Sequence, residues 1–320
     1  MTEKIEKLIQ LARLAPSVHN TQPWRVLVKD NTLNVSVHEP SVLDHGDPTL
    51  RELWLSVGCF MYCLEQISPE CGLQLTPLET QTSNLSSVVC TYTIKQIEPT
   101  APKISILLQT RRSDRRLYAK DPLSKKNKSL LQSLICPEGT AVSVVDDKVI
   151  LAKAASLTAT GLRMAFSMPD FRKELSDLII ATNSRQNTGL YYYALNRTRV
   201  GGWMEKLSIR TGINTQKLVQ NDYDRILNSS ALVFILSDGD TPKYWTSAGK
   251  TYMAASIKIE DLGLAQSTTA ALVEAGDLHE EIENLIGTKN RIQAVIRIGT
   301  PRHNGRPKRT PRLSVSEIST

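Results

Sequence analysis

Residues 15–24 read Ala-Pro-Ser-Val-His-Asn-Thr-Gln-Pro-Trp and place Ser17, His19, Asn20, Thr21 and Gln22 within six positions. Such short polar side chains are closely tied to their backbone, and they offer both donors and acceptors. Held in one turn, they could read the edge of a flat heteroaromatic ligand. Pro16 ends whatever helix precedes it, and Pro23 with Trp24 stiffens the exit. The same residues would also suit a plain helix–strand corner whose amides cap backbone groups.

A second group suits anion chemistry. Arg111, Arg112, Ser113 and Arg115 lie within five residues. Guanidinium groups hold phosphate through charge-assisted, often bidentate hydrogen bonds, and a serine hydroxyl adds a donor. The alternative is a solvated basic run. The C-terminal stretch adds Arg309 and Arg312, with Lys308 and Arg306 beside them. A flexible basic tail would have the same composition.

The decapeptide and the Arg-Arg-Ser-x-Arg segment resemble those of the nitroreductase family of FMN-dependent oxidoreductases. The His-Asn-Thr variant of the turn is similar to the family's Acg-like branch. The resemblance implies an FMN cofactor lying against Pro16, Ser17, His19, Asn20, Thr21 and Gln22. It implies that Arg111, Ser113 and Arg115 grip the cofactor phosphate, with Arg112 alongside. Arg312, or Arg309 in its place, is then the basic residue that reaches the phosphate from the final segment. Thr269 and Ala270 stand where the family presents a backbone N–H to the flavin, although the family's Pro-x-Glu-Gly element is missing here. No side chain is singled out as catalytic, and no metal site is expected.

These groups need a scaffold. The chain has 320 residues, 41% hydrophobic and 22% charged, which are globular values. Its net charge of +7 is concentrated at 111–128 and 297–312. Clustered cations point to phosphate, of a nucleotide or of a nucleic acid. The cations are not interleaved with aromatics and no zinc, helix-turn-helix or RNP pattern appears, so no nucleic-acid partner is expected. The five cysteines form no CxxC pair and read as free thiols. The N-terminal residues lead directly into an amphipathic pattern without an apolar signal region. A cytoplasmic protein with no membrane partner is the expectation.

Apolar spacing predicts helices over 3–14, 51–68, 104–110, 124–135, 150–166 and 245–262. Strands are predicted over 25–29, 33–37, 72–75, 87–94, 141–145, 231–237 and 293–298, with a polar loop at 80–86. Trp54, Ser56, Gly58, Gly72 and Leu73 recur as Trp245, Ser247, Gly249, Gly263 and Leu264, a constant offset of 191 residues. A repeat in register across one helix and its exit suggests a fused pseudo-dimer. The expected halves are 1–100 and 101–320. The second carries an insertion at about 168–227, whose helices Gly189, Gly201 and Gly202 should break, and an extended arm at 300–320. The insertion reads as a lid or as an ordinary helical excursion. The resemblance favours the lid.

The expected fold is therefore α+β: a nitroreductase-like, mostly antiparallel central sheet flanked by long helices. The expected function is transfer of reducing equivalents from NAD(P)H through FMN to a nitro or quinone-type aromatic acceptor, in ping-pong order. The alternative is an FMN-sequestering protein whose lid blocks the nicotinamide. A monomer or a weak homodimer would suit either.

Overall fold

The computed structural model describes residues 1–80, 85 and 88–319. Most of the loop expected at 80–86 lies outside the described residues. In chain order the elements are α1 (Thr2–Ala12), β1 (Trp24–Lys29), β2 (Thr32–Val37), α2 (Arg51–Ile67), β3 (Leu73–Thr80), β4 (Val88–Gln96), α3 (Ile104–Thr110), α4 (Lys125–Gln132) and β5 (Thr140–Val145). There follow α5 (Lys148–Ser167), α6 (Pro169–Leu178), β6 (Ile179–Ile180), β7 (Leu190–Tyr191), α7 (Arg199–Thr211), α8 (Thr215–Leu227) and β8 (Ala231–Ser237). The last are α9 (Pro242–Asp261), β9 (Ala265–Thr268), α10 (Ala271–Glu274), α11 (Leu278–Ile286), β10 (Arg291–Gly299) and α12 (Val315–Ile318).

In place of one central sheet there are two four-stranded sheets, ordered β1-β2-β4-β3 and β5-β8-β10-β9. Every pairing within both is antiparallel. Each order is the same walk: an edge strand, its neighbour, then a hairpin-like pair in reversed order that follows a long helix. In the first sheet Asp30, at φ 52, turns β1 straight into β2. In the second, β5 and β8 are separated by everything from α5 to α8.

The two long helices α2 and α9 cross at Gly58 and Gly249, and the crossing is reciprocal. A Cβ on Gly58 would lie 2.1 Å from the carbonyl oxygen of Thr246, and one on Gly249 would lie 2.1 Å from that of Leu55. Each glycine thus abuts the carbonyl three residues before the other. Only glycine permits backbones this close. The repeated Trp-x-Ser-x-Gly pattern marks this crossing. Around it one core joins α1, α2, both sheets and α9, with Trp24 stacked on Phe60 at 4.8 Å between ring centroids.

The insertion departs from expectation in one respect. Gly201 and Gly202 lie inside the first turn of α7, which Thr198 caps by accepting from the Gly201 N–H. Gly202 is needed for close packing, since a Cβ there would sit 2.4 Å from Tyr192 Cβ. Gly189, at φ 87, does interrupt the chain, just before β7. Strand β9 and the helices α10, α11 and α12 are not among the predicted elements; α10 is a single turn too short to show periodicity.

The arm is extended through 300–314 and then forms α12, closed by a Ser314–Glu317 capping box. Ile318 is buried in the main core, and Ser319 bridges to Val26 on β1. The arm therefore runs from the second sheet back to the edge of the first. Among the described residues one helix, α5, is long and apolar enough by length and composition to cross a membrane. Here its apolar side chains pack against α8, α10 and β8.

Candidate cofactor site

Two adjoining cavities organise the site. The smaller, about 80 Å³, gathers Pro16, Ser17, His19 and Asn20 from the turn, Arg111, Arg112, Ser113 and Arg115 from the arginine segment, and Arg309 and Arg312 from the arm. Lys308 joins them. The larger, about 1180 Å³, shares Pro16, Ser17, His19, Ser113, Arg115 and Leu190 with it, and continues past Thr269 and Ala270. The structure thus places most of the candidate residues on one continuous wall, although they come from three distant stretches of chain.

The turn is made by strained backbone. His19, Asn20 and Gln22 have φ of 44°, 61° and 53°. Non-glycine residues in the left-handed region cost free energy and persist where the surroundings fix them. The Ser17 hydroxyl accepts from the Gln22 N–H at 3.0 Å, and the Val18 N–H donates to Ser56 Oγ.

Three residues of the turn serve the protein rather than the cavity. Asn20 Nδ2 donates to the carbonyls of Gly189 and Pro311, and its Oδ1 accepts from Arg312 at 2.7 Å. Gln22 is fully buried; it donates to Asn187 O at 2.7 Å and accepts from the Leu313 N–H at 2.8 Å. Thr21 donates to Val18 O. Thr21 and Gln22 lie off both cavity walls, and Asn20 has little capacity left for a ligand. Together they knot the turn to the insertion and the arm. Thr269 is likewise spent at its N–H, which pairs with Val295 O.

The cations show the opposite pattern. Arg111 is 3% exposed, yet its Nε and Nη1 are buried without a hydrogen-bond partner. Arg312 Nε is unpartnered as well. Arg112 and Arg309 point several donors at the carbonyls of residues 108–111, which neutralise no charge. Among the described residues none of Arg111, Arg112, Arg115, Arg309 and Arg312 forms an ion pair with a carboxylate, whereas Arg116 next door is paired to Asp114 at 2.6 Å. Burial, then repulsion from Arg111 and Arg112, pushes Arg309 down to about 8 and Arg312 down to about 9. Buried like charges with orphaned donors are costly unless an anion joins them. A dianionic phosphate fits this cradle, and the adjoining larger cavity fits a bulky group attached to it.

His19 is neutral near pH 7. Burial, and after it the Arg115 guanidinium, push it down to about 4. The unfolded imidazole protonates near its ordinary 6.5, so between about 6.5 and 4 the unfolded chain binds a proton that the folded chain refuses. Stability contributed by neutral His19 is then lost as pH falls through that window, by roughly 2–3 kcal/mol. His19→Asn, which tolerates the left-handed backbone, should flatten the acid limb of urea-unfolding stability measured between pH 7 and pH 4. An unchanged acid limb would count against the assignment.

The far part of the large cavity carries groups that the sequence reading did not single out. Asp47 accepts from the Glu52 and Leu53 N–H groups at the start of α2. Glu52 pairs with Arg51 at 3.3 Å. Burial and the neighbouring Glu52 push Glu274 up to about 8. The Gly46-Asp47-Pro48 turn before a helix was the only local signal for Asp47. Glu274, on the one-turn helix α10, had none.

Residues of the 168–227 segment border both cavities. Ala194 O accepts from Arg115, the Tyr193 ring centre lies 4.8 Å from Lys308 Nζ, and Leu190 and Ile209 line the larger space.

The strained polar turn, the arginine segment and the basic arm border one small cavity, and in sequence the chain is similar to proteins named as nitroreductases. No family model matches it. Within that class the likeness is to the Acg branch. Over 330 aligned residues the chain is 25% identical to "Putative NAD(P)H nitroreductase acg" of Mycobacterium tuberculosis, covering 99% of this chain and 95% of that one. A second protein of that organism, also named as a putative NAD(P)H nitroreductase, is 28% identical over 158 residues, 48% of this chain and 46% of its own. Among solved structures, the FMN-dependent nitroreductase NfnB of Mycobacterium smegmatis, in complex with NADPH, aligns with a TM-score of 0.44 at 16% identity, over 67% of this chain and 95% of that one. Oxidised iodotyrosine deiodinase bound to FMN and 3-iodo-L-tyrosine aligns with a TM-score of 0.41 at 16% identity, over 66% and 95%.

Proposed function

We propose that the chain is an FMN-dependent oxidoreductase that binds one FMN without a covalent bond. The observation that carries this reading is Arg111: a buried, unpaired guanidinium in a small polar cavity that opens directly into a large one. When bound, FMN supplies the hydride and electron chemistry, which belongs to the cofactor. The protein's own groups bind and orient. Arg111, Arg112, Arg309, Arg312 and the Ser113 hydroxyl hold the phosphate. Pro16, Ser17, His19 and Arg115 form the wall shared by phosphate and ring compartments, and the Ala270 backbone borders the ring compartment. A neutral His19 there can exchange a hydrogen bond without adding another positive charge.

The nicotinamide donor and a nitro or quinone-type acceptor would use the larger cavity in turn. Arg111 at the centre of the cradle is buried, whereas a nucleic-acid backbone calls for cations spread along an accessible surface. The matching strand orders and the reciprocal glycine crossing support a fused pseudo-dimer with halves at 1–100 and 101–320 and a lid at about 168–227. One turn and one arginine segment make one site.

A second reading rests on the bonds from the lid to the site. Asn20 holds Gly189, Gln22 holds Asn187 and Arg115 holds Ala194. A lid fastened this way could keep NAD(P)H out and leave FMN stored. The purified protein should be yellow, and NADPH added without oxygen should bleach the flavin band, with recovery on adding a quinone. A flavin that only dithionite reduces establishes storage instead. A colourless protein that does not take up added FMN overturns both readings.

A further inference from the structure

The lid helix α7 has two apolar faces, and only one of them is used. Gly202 and Ile209 point inward, Gly202 against Tyr192. Glu205 is turned inward too, where it pairs with Arg197 and lines the large cavity. On the opposite side Val200, Trp203, Met204 and Leu207 are 68%, 58%, 60% and 47% exposed. Their spacing of three, four and seven puts them on a single stripe. Ile213, in the loop beyond the helix, is 63% exposed.

The flanks of the stripe decide what can cover it. Helical spacing puts Arg199, Lys206 and Arg210 together along one flank, and Gly201 and Ser208 along the other. Arg199 is exposed, and among the described residues no hydrogen bond or ion pair engages its side chain; Lys206 donates to Ile179 O, and Arg210 is shared with Asp177 on α6. The stretch 199–217 contains no acidic residue other than the inward Glu205. A second copy packed antiparallel would set the cationic flank against itself. A parallel copy would set it against Gly201 and Ser208, which offer no carboxylate. An apolar stripe with an exposed tryptophan and a basic flank is instead complementary to an anionic lipid surface.

We infer that the outer face of α7 seats the lid on anionic lipid bilayers. The helix lies in the plane of the headgroups, with Trp203, Met204 and Leu207 entering the acyl boundary and Arg199 meeting lipid phosphates. This goes beyond the cofactor reading and does not depend on it. It departs from the expectation, drawn from composition, of no membrane partner. Monomeric soluble proteins seldom leave such a stripe uncovered.

The test uses the full chain and co-sedimentation with vesicles of phosphatidylglycerol mixed with phosphatidylcholine, or of phosphatidylcholine alone. The expected result is binding to the anionic vesicles, weakened by salt and much reduced on phosphatidylcholine. Trp203→Gln with Leu207→Gln should weaken that binding about tenfold or more, and Arg199→Gln about fivefold. These outward substitutions should leave the thermal melt unchanged, which separates lost docking from lost folding. No binding to anionic vesicles, or binding that the Trp203 and Leu207 changes do not reduce, would overturn the inference. So would light scattering that shows a dimer dissolved by Trp203→Gln, since a second copy would then be the occupant.

Discussion

Arg111→Gln should weaken FMN binding about 100-fold and, in the same variant, stabilise the flavin-free protein. Both effects have one cause. Arg111 buries a positive charge with two of its nitrogens unpartnered, in a cradle where Arg112, Arg309 and Arg312 crowd without a carboxylate. With phosphate present, charge-assisted hydrogen bonds from a buried guanidinium are worth about 3 kcal/mol, hence the loss in affinity. Without phosphate the same charge is a liability, and removing it relieves desolvation and repulsion by about 1 kcal/mol or more. Glutamine keeps a donor and most of the volume, so packing changes little. Flavin fluorescence titration and urea unfolding of the apoprotein measure the two quantities. Unchanged affinity would refute the phosphate assignment, whatever the stability did.

Gly58→Ala should be the most damaging single-methyl change in the molecule, and Gly249→Ala should match it. Either Cβ falls 2.1 Å from a backbone carbonyl oxygen of the opposite helix, too near for a rotamer change to relieve. The helices must part. Because α2 also carries Ser56, which accepts from the Val18 N–H beside the turn, and α9 carries Tyr252 on the cavity wall, the displacement reaches the site. A cost of about 4 kcal/mol is expected, at the upper end for one substitution. The two changes share one contact, so the double variant should cost much less than the sum of the singles. Chemical unfolding of the three variants checks this; additive effects would mean that the two glycines do not meet.

The crossing was legible as a repeat because Gly58 and Gly249 each sit in a Trp-x-Ser-x-Gly pattern. Their meeting face to face was not, since identical spacing says nothing of contact. The turn was legible as a unit because it is contiguous. The division of labour within it was hidden, because the partners of Asn20 and Gln22 lie at Asn187, Gly189, Pro311 and Leu313, remote in sequence. The arginine segment and the arm were legible by residue type. What distinguished Arg111 from Arg116 was a carboxylate, Asp114, available to one and not the other. Gly201 and Gly202 misled because glycine is a poor helix former in general; here Thr198 caps the turn, and the missing side chain at Gly202 lets α7 meet Tyr192. The expected single sheet is two four-stranded sheets and a small parallel β6-β7 pair, because strand propensity carries no information about which strands pair.

The arm has a bearing on biogenesis. Arg309 and Arg312 are synthesised roughly two hundred residues after Arg111 and nearly three hundred after Ser17. While the nascent polypeptide lacks them, the pocket stands open on one side and short of two positive groups. With Arg309 and Arg312 holding the phosphate as proposed, loading of the prosthetic molecule would wait until translation has passed residue 312, however early the first sheet folds. A terminal fusion that obstructs the return path to Val26 would be expected to yield soluble material deficient in pigment.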